Sequence, residues 1–408
     1  MKPVDALHRM RQWRQNDSPP GPESIKAFIT NRCNLNCRHC WRHWEEWDRS
    51  YKTELSDERW LRLVDEAAVL NTRNWVFLGG GEPLMRRDLI LAMIKKISSY
   101  DMNCWIHTNG TLFTSEFIES TIDKNIHLVV FSIDGPDAET NNAIRGGGFE
   151  KAVENLQYFA DCRRKNGQDL PELHLYATIT NLTYDKLDRF AELAASIDTG
   201  IYVQLSSLLV DGQETSRLAL SEEQFRALPD MVNKGIERAR ELGIKTNFED
   251  YRDAGLMKDS KNVKHVFRSD RQEDLSGAMC YEPWLSAAIM SNGYLGPCCA
   301  VCDAGVLSIK DAPLQEVWTG AYMNQVRDKM FTGSPPNYCL RCPSNLFIGK
   351  EVIRTFLADY LHRDQMALPQ RLAGMAQRLG NTYREKGVAG ILQRINEWRR
   401  YHSEGNIK

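Results

Sequence analysis

Three cysteines, Cys33, Cys37 and Cys40, stand at a C-x3-C-x2-C spacing directly after the apolar run 25–29. That order predicts a loop leaving the C-terminal end of a buried strand, with three thiols converging from one short segment. Thiolates in this arrangement can hold three irons of a four-iron cluster, because cysteine thiolates are the usual ligands of such clusters. The fourth iron would then carry no protein ligand and would be open to a small molecule. A zinc site is the alternative, although structural zinc wants four closed ligands, usually as paired C-x2-C units. Three unrelated buried thiols are the remaining reading.

The spacing also resembles the radical S-adenosylmethionine (SAM) superfamily, whose pattern C-x3-C-x-aromatic-C falls on Cys33, Cys37, His39 and Cys40. The resemblance implies a SAM-binding 4Fe-4S cluster on the three cysteines, with the open iron chelating the amino and carboxylate groups of SAM. It places His39 near the adenine. It identifies Gly80, Gly81, Glu82 and Pro83 as the motif whose backbone meets the SAM amino group. Thr108 and Asn109, before Gly110 and Thr111, match the third strand end, and Ser132 and Asp134 match positions near the SAM ribose and carboxylate. Arg145, ahead of Gly146-Gly147-Gly148, matches an arginine that reaches bound SAM, and a planar guanidinium suits a carboxylate because it can bind both oxygens. Thr180-Asn181 occupies a further family position. The resemblance covers residues 25–210.

A second group of cysteines follows: Cys280, Cys298, Cys299, Cys302, Cys339 and Cys342. The arrangement C-x12-G-x4-C, then C-x2-C, resembles the SPASM and twitch extensions of the same superfamily, as does Trp318 in the expected helix between the cysteines. No cysteine follows Cys342, which favours the shorter twitch type with one auxiliary 4Fe-4S cluster on Cys280, Cys298, Cys339 and Cys342. Four thiolates close every iron and suit electron transfer. The alternative is a zinc ribbon from Cys299-x2-Cys302 and Cys339-x2-Cys342, with a gap longer than the usual ~15–20 residues. Cys104 and Cys162 have no partner by spacing and are expected to be buried, inert thiols.

The elements that must position these residues alternate along the chain. Strands are predicted at 25–30, 74–79, 103–107, 126–133, 173–180 and 201–206, with helices at Asp57–Leu70, Leu89–Ser99 and Glu150–Lys165 between them. Ser56 is the expected N-cap of the first. Alternation predicts an α/β fold with a parallel sheet and right-handed crossovers. The resemblance narrows this to a partial (β/α)6 TIM-like barrel, in which chemistry sits on the loops after the strands. The expected domains are a lead-in (1–24), the radical SAM barrel (25–210), a helix and linker (211–270), a SPASM/twitch-type cluster domain (271–345) and a helical C-terminal extension (346–408). Ser221 to Leu242 reads as a helix with a capping box at Ser221 and Gln224, kinked or split at Pro229. Lys258 to Asp274 reads as a charged linker. The lead-in leaves no room for the leader-binding domain that peptide-modifying relatives often carry.

Composition bounds the rest. Of 408 residues, 42% are hydrophobic and 26% charged, with a net charge of -2, the balance of a globular protein without a global pull toward nucleic acid or anionic membrane. The N-terminus has no apolar signal core and no run approaches the ~20 residues that span a bilayer. Eleven cysteines without an export signal argue for metal ligation and a cytoplasmic location. The resemblance implies a radical SAM enzyme, an oxidoreductase or an epimerising relative, and its twitch type without a leader-binding domain leans toward a small molecule such as a sugar or aminocyclitol. A ribosomal peptide is the alternative substrate, and a non-catalytic cluster- or zinc-bearing protein the alternative class. The resemblance implies a flavodoxin or ferredoxin as electron donor. No residue stands out as base or final hydrogen donor.

Overall fold

The computed structural model describes residues 3–16, 19–43, 53–208, 213–253, 280–298, 308–332 and 336. The linker expected at 258–274, the domain boundary at 270–271, the C-terminal extension and Cys299, Cys302, Cys339 and Cys342 lie outside them.

A helix, α1 (Pro3–Asn16), precedes β1 (Ser24–Phe28). Then α2 (Asp57–Val69), β2 (Asn74–Leu78), α3 (Arg87–Ser99), β3 (Asn103–Thr108), α4 (Ser115–Thr121) and β4 (Ile126–Ser132) alternate. They are followed by α5 (Ala138–Arg145), α6 (Phe149–Lys165), β5 (Glu172–Ile179), α7 (Leu187–Ile197) and β6 (Tyr202–Ser207). After α8 (Gln213–Ser216) and α9 (Glu222–Leu242) come β7 (Lys245–Thr246) and α10 (Phe248–Asp253). The second cysteine region holds α11 (Glu282–Leu285), β8 (Ser286–Ile289), β9 (Leu295–Gly296), α12 (Leu314–Trp318) and α13 (Ala321–Phe331). One sheet runs in the order β7-β6-β5-β4-β3-β2-β1-β8-β9. Every neighbouring pair is parallel except β8–β9, which form an antiparallel hairpin. All six expected strands are present within two residues of their predicted ends.

The two faces of the sheet differ chemically. Side chains alternate along a strand, so every second residue faces the helices. On that face Ile25, Ala27, Trp75, Phe77, Ile106, Phe131, Leu173, Leu175 and Val203 are fully buried against the apolar stripes of the helices. The intervening residues Trp105, His107, Ser132, His174, Tyr176, Tyr202, Gln204 and Ser206 keep partial solvent access. They line the concave face, which is polar and aromatic. His107, Val130, His174 and Tyr202 occupy one register row across β3 to β6, with the His174 and Tyr202 rings 4.7 Å apart.

Two expectations are corrected. Helix α9 begins with the capping box of Ser221 and Gln224 but runs unbroken through Pro229. Its buried stripe of Phe225, Leu228, Val232, Ile236 and Ala239 continues past the proline and packs against α7. That burial outweighs the ~3 kcal/mol a helical proline costs. Cys104 is buried as expected, but Cys162 is only half-buried, because it lies near the C-terminal end of α6.

The second cysteine region is bound to the barrel. Strand β8 extends the sheet beside β1, Lys26 pairs with Glu282 at 2.7 Å, and buried Arg59 of α2 donates to the carbonyls of Ile309 (2.8 Å) and Ala312 (3.1 Å). The Trp318 indole donates to the Pro20 carbonyl at 3.0 Å.

Burial of His107, with His174 nearby, pushes its imidazole from 6.5 down to about 4. The folded chain therefore binds fewer protons than the unfolded one between those values, and stability falls as pH drops through that interval. His107→Gln is expected to remove this share of the acid sensitivity, on the order of 3 kcal/mol once fully developed, as read by urea unfolding at pH 7 and pH 4.

Candidate functional site

The loop 29–40 that carries Cys33, Cys37 and Cys40 has no helix or strand of its own. It is held from outside by three neighbouring segments. The Gly81 amide donates to the Thr30 carbonyl and the Glu82 amide to the Arg32 carbonyl, both at 2.8 Å. A Cβ on Gly81 would lie 1.9 Å from the Arg32 carbonyl oxygen, so only glycine permits this approach. From the β3 end, Asn109 donates through Nδ2 to Asn34 Oδ1 at 2.9 Å, and Asn34 donates to Thr111 Oγ1 at 2.8 Å. From the α5 end, the Ile144 carbonyl accepts the Arg38 amide at 2.9 Å. Gly146, Gly147 and Gly148 follow with φ of 81°, 141° and 84°, a left-handed run open to glycine alone. On the outer side Glu54 accepts the Thr30 hydroxyl at 2.7 Å and the Asn31 amide at 2.8 Å.

Glu82 is the joint between the β2 and β3 loops. Its carboxylate is 2% exposed and accepts the Thr108 hydroxyl (2.7 Å), the Asn109 amide (2.8 Å) and the Leu84 amide (3.2 Å). Burial raises its pKa, against these hydrogen bonds. Pro83 opens the short 3-10 turn that Glu82 caps, and Gly80 is buried beside it. Glu82 and Thr108 thus bind each other. Because the Gly81 and Glu82 amides are already donating, the carbonyls of this glycine stretch are what it has left for a cationic amine.

Asp134, Arg145 and His39 form one buried polar cluster. Asp134 accepts the Thr178 amide at 2.7 Å through Oδ1, while Oδ2 pairs with Arg145 Nη1 and stands 3.3 Å from His39 Nε2. Burial alone would raise the Asp134 pKa, but Arg145 and then His39 hold it below the usual carboxylate range. Burial lowers the His39 pKa, against the pull of Asp134. Arg145 Nε and His39 Nδ1 are buried without a hydrogen-bond partner. Two unused polar atoms beside the thiol loop are what a site for a polar cofactor shows before it is filled. Ser132 lies one strand position below this cluster, in register with Tyr176. Asn181 turns to the carbonyl of Arg217 and does not join the site.

The thiols themselves fit a cluster. Burial pushes Cys37 up to about 11, against Arg145, and its charge interacts with both Cys40 and Cys33. Burial raises Cys40 as well. Such thiols ionise when metal compensates the charge. Among the described residues no three His, Cys, Asp or Glu side chains converge on a single ion. In the second region Cys280 precedes α11 and Cys298 follows β9, both half-buried.

Asn34, Glu54 and Thr111 support the loop and are not legible as such in the sequence. Asn34 lies inside the cysteine motif and Thr111 two residues past Asn109, whereas Glu54 has no local pattern that marks it.

Gly81→Ala is expected to force the Arg32 carbonyl away and reduce reconstituted iron to the level of Cys33→Ala, with the far-UV helical signal unchanged. Asp134→Asn leaves the Arg145 guanidinium buried without its counter-charge and is expected to cost about 3–5 kcal/mol, measured by denaturant unfolding of the iron-free chain.

Comparison with known proteins agrees with this geometry. The family model of the radical SAM superfamily matches residues 28–194, and that of SPASM, an iron-sulfur cluster-binding domain, matches residues 280–343. The AdoMet-dependent heme synthase of Oleidesulfovibrio alaskensis is 30% identical over 251 residues, covering 56% of this chain and 62% of that one. The mycofactocin maturase of Mycolicibacterium smegmatis is 29% identical over 219 residues, 52% of this chain and 53% of that one. The chain thus spans little more than half the length of these curated relatives. Among solved structures, SuiB of Streptococcus suis bound to S-adenosylmethionine shares the fold, with a TM-score of 0.57 at 17% identity over 78% of this chain and 71% of that one. The two domains imply SAM, a 4Fe-4S cluster and auxiliary iron-sulfur clusters. With its three-cysteine loop on a parallel α/β sheet and a second cysteine region joined to that sheet, the chain matches the radical SAM domain over residues 28–194 and the SPASM iron-sulfur domain over residues 280–343.

Proposed function

We propose that this chain reductively cleaves S-adenosylmethionine and uses the resulting 5′-deoxyadenosyl radical to take hydrogen from a carbon of a small-molecule substrate, ending in oxidation or epimerisation. The observation that carries the reading is the thiol loop, clamped from three strand-end loops beside the Asp134–Arg145–His39 cluster. In this reading Cys33, Cys37 and Cys40 hold the SAM-binding cluster, and the cluster supplies the electron for cleavage when bound. The carbonyls of the 79–81 glycine stretch face the SAM amine. Arg145, fixed by Asp134 through Nη1, keeps its remaining donors for the SAM carboxylate, and His39 and Ser132 flank the nucleoside. Glu82, Thr108 and Asn109 shape the wall beside SAM: Glu82 accepts the Thr108 hydroxyl and the Asn109 amide, and the Asn109 side chain binds Asn34 and Thr111.

The concave face supports a small polar substrate. Trp105, Tyr176 and Tyr202 offer ring faces, and His107, His174, Gln204 and Ser206 offer neutral hydrogen-bonding groups. That lining suits a hydroxylated ring such as a sugar or aminocyclitol. A peptide substrate is the second reading. It is favoured by the 29% identity to mycofactocin maturase and by SuiB having been solved with its precursor peptide SuiA. Cys280, Cys298, Cys339 and Cys342 are the proposed ligands of one auxiliary cluster, which accepts the substrate electron in the oxidative outcome. A flavodoxin or ferredoxin in the cytoplasm is the proposed electron donor.

The test is anaerobic reconstitution followed by SAM turnover under reducing conditions. Roughly eight irons per chain are expected, with 5′-deoxyadenosine formed by the wild type and abolished in the Cys33→Ala/Cys37→Ala/Cys40→Ala variant. Deoxyadenosine formation by that variant at the wild-type rate would refute the assignment. Stimulation by synthetic peptides and not by polyhydroxylated rings would decide for the second reading.

A further inference from the structure

The sulfurs of the thiol loop are not hydrogen-bonded alike. The Leu35 amide lies 3.5 Å from Cys33 Sγ, and the Arg42 amide donates to Cys40. Each of these amides lies two residues past its cysteine, so both follow from the course of the loop itself. Cys33 Sγ has a second nitrogen beside it that comes from another part of the fold. Nδ2 of Asn109, in the loop after β3, stands 4.0 Å away.

Asn109 is held so that its nitrogen faces the sulfur. Oδ1 accepts the Thr111 amide at 2.9 Å and the Thr111 hydroxyl at 2.7 Å. A backbone amide can only donate, which fixes Oδ1 on the Thr111 side and turns Nδ2 toward the thiol loop. There Nδ2 donates to Asn34 Oδ1 at 2.9 Å, and Asn34 Nδ2 donates to Thr111 Oγ1 at 2.8 Å, closing a ring of three side chains. A side-chain amide nitrogen carries two hydrogens. Asn34 takes one, and the other is left for Cys33 Sγ. Asn109 is 6% exposed, so water competes little for it.

At 4.0 Å this contact with a neutral thiol is long. Charge on an acceptor shortens and strengthens a hydrogen bond, and a thiolate that ligates iron carries such charge. Hydrogen bonds to the sulfurs are among the factors that set the potential of an iron-sulfur cluster. A donor stabilises the reduced form more, because that form holds one more negative charge.

We infer that the Asn109 side chain donates to the Cys33 sulfur of the SAM-binding cluster and raises the cluster's reduction potential. The inference rests on the reading of Cys33 as a ligand. Asn109 is a tuning residue that acts through Cys33. It favours the one-electron transfer from the flavodoxin or ferredoxin proposed above, in which the donor protein loses the electron that the cluster gains and no proton or covalent bond moves.

The test is an EPR redox titration of the reconstituted full-length chain. It reads the reduced-cluster signal that is absent from Cys33→Ala/Cys37→Ala/Cys40→Ala, with iron and sulfide measured in parallel. Asn109→Ala is expected to disfavour reduction roughly tenfold, which is ~59 mV for a one-electron couple. Asn109→Asp keeps the shape and the Oδ1 acceptor but loses the donor, and is expected to lower the midpoint at least as far; it decides the matter where Asn109→Ala holds no iron. Asn34→Ala removes the same brace from the loop but leaves Asn109 held by Thr111, and its midpoint is expected to stay near that of the wild type. An unchanged midpoint in either Asn109 variant at equal iron content overturns the inference. An Asn34→Ala shift as large as that of Asn109→Ala also overturns it, by tracing the effect to loop geometry, as does loss of iron in both Asn109 variants. A wild-type chain without the signal overturns the cluster reading itself, and the inference with it.

Discussion

A segment with three thiols and no secondary structure cannot hold its own shape. The loop 29–40 takes its conformation from groups lent by its neighbours: the Gly81 and Glu82 amides, the Ile144 carbonyl and the side-chain amide of Asn109, which donates to Asn34. Each of these comes from the C-terminal end of a different strand or the helix that follows it. The parallel sheet is what delivers them to one place, because parallel strands present all their C-terminal loops at the same edge. Everything specific to the site depends on that convergence. Glycine at position 81 is the tightest point, since its carbonyl contact leaves no space for a side chain.

Charge is arranged with similar economy. Asp134 is buried and holds two partners that face the thiols, Arg145 and His39. One guanidinium nitrogen is committed to the aspartate while Nε is not, so the arginine is oriented but not exhausted. Glu82 does the opposite. It accepts from Thr108, Asn109 and Leu84, which makes it a brace between loops. Two buried carboxylates, one after β4 and one after β2, therefore serve different ends, one positioning a cation and one tying backbone.

The second cysteine region is bound into the same framework. Strand β8 continues the sheet next to β1, the strand that feeds the thiol loop, and Arg59 and Glu66 of α2 bind the backbone at 309, 312 and 314. Helix α1 closes the other side, with Trp13 against Trp284 and Phe331. A change in that region can thus reach β1 through direct strand pairing, and the reverse path is equally short.

Much of this was legible in the chain. The strand pattern followed from apolar periodicity, because the face packed on helices must be apolar in every strand, and the six strand positions were recovered from that alone. Cys33, Cys37 and Cys40 were visible because ligand spacing is local, and the capping box at Ser221 and Gln224 because capping is a contact three residues apart. What the tertiary structure decided was long-range. The partners of Glu82, Asp134 and Glu54 and the continuation of α9 past Pro229 depend on segments far apart in sequence. Sequence determines which groups are available and how neighbours along the chain can fold; which of them meet is settled only when the sheet brings its loops together.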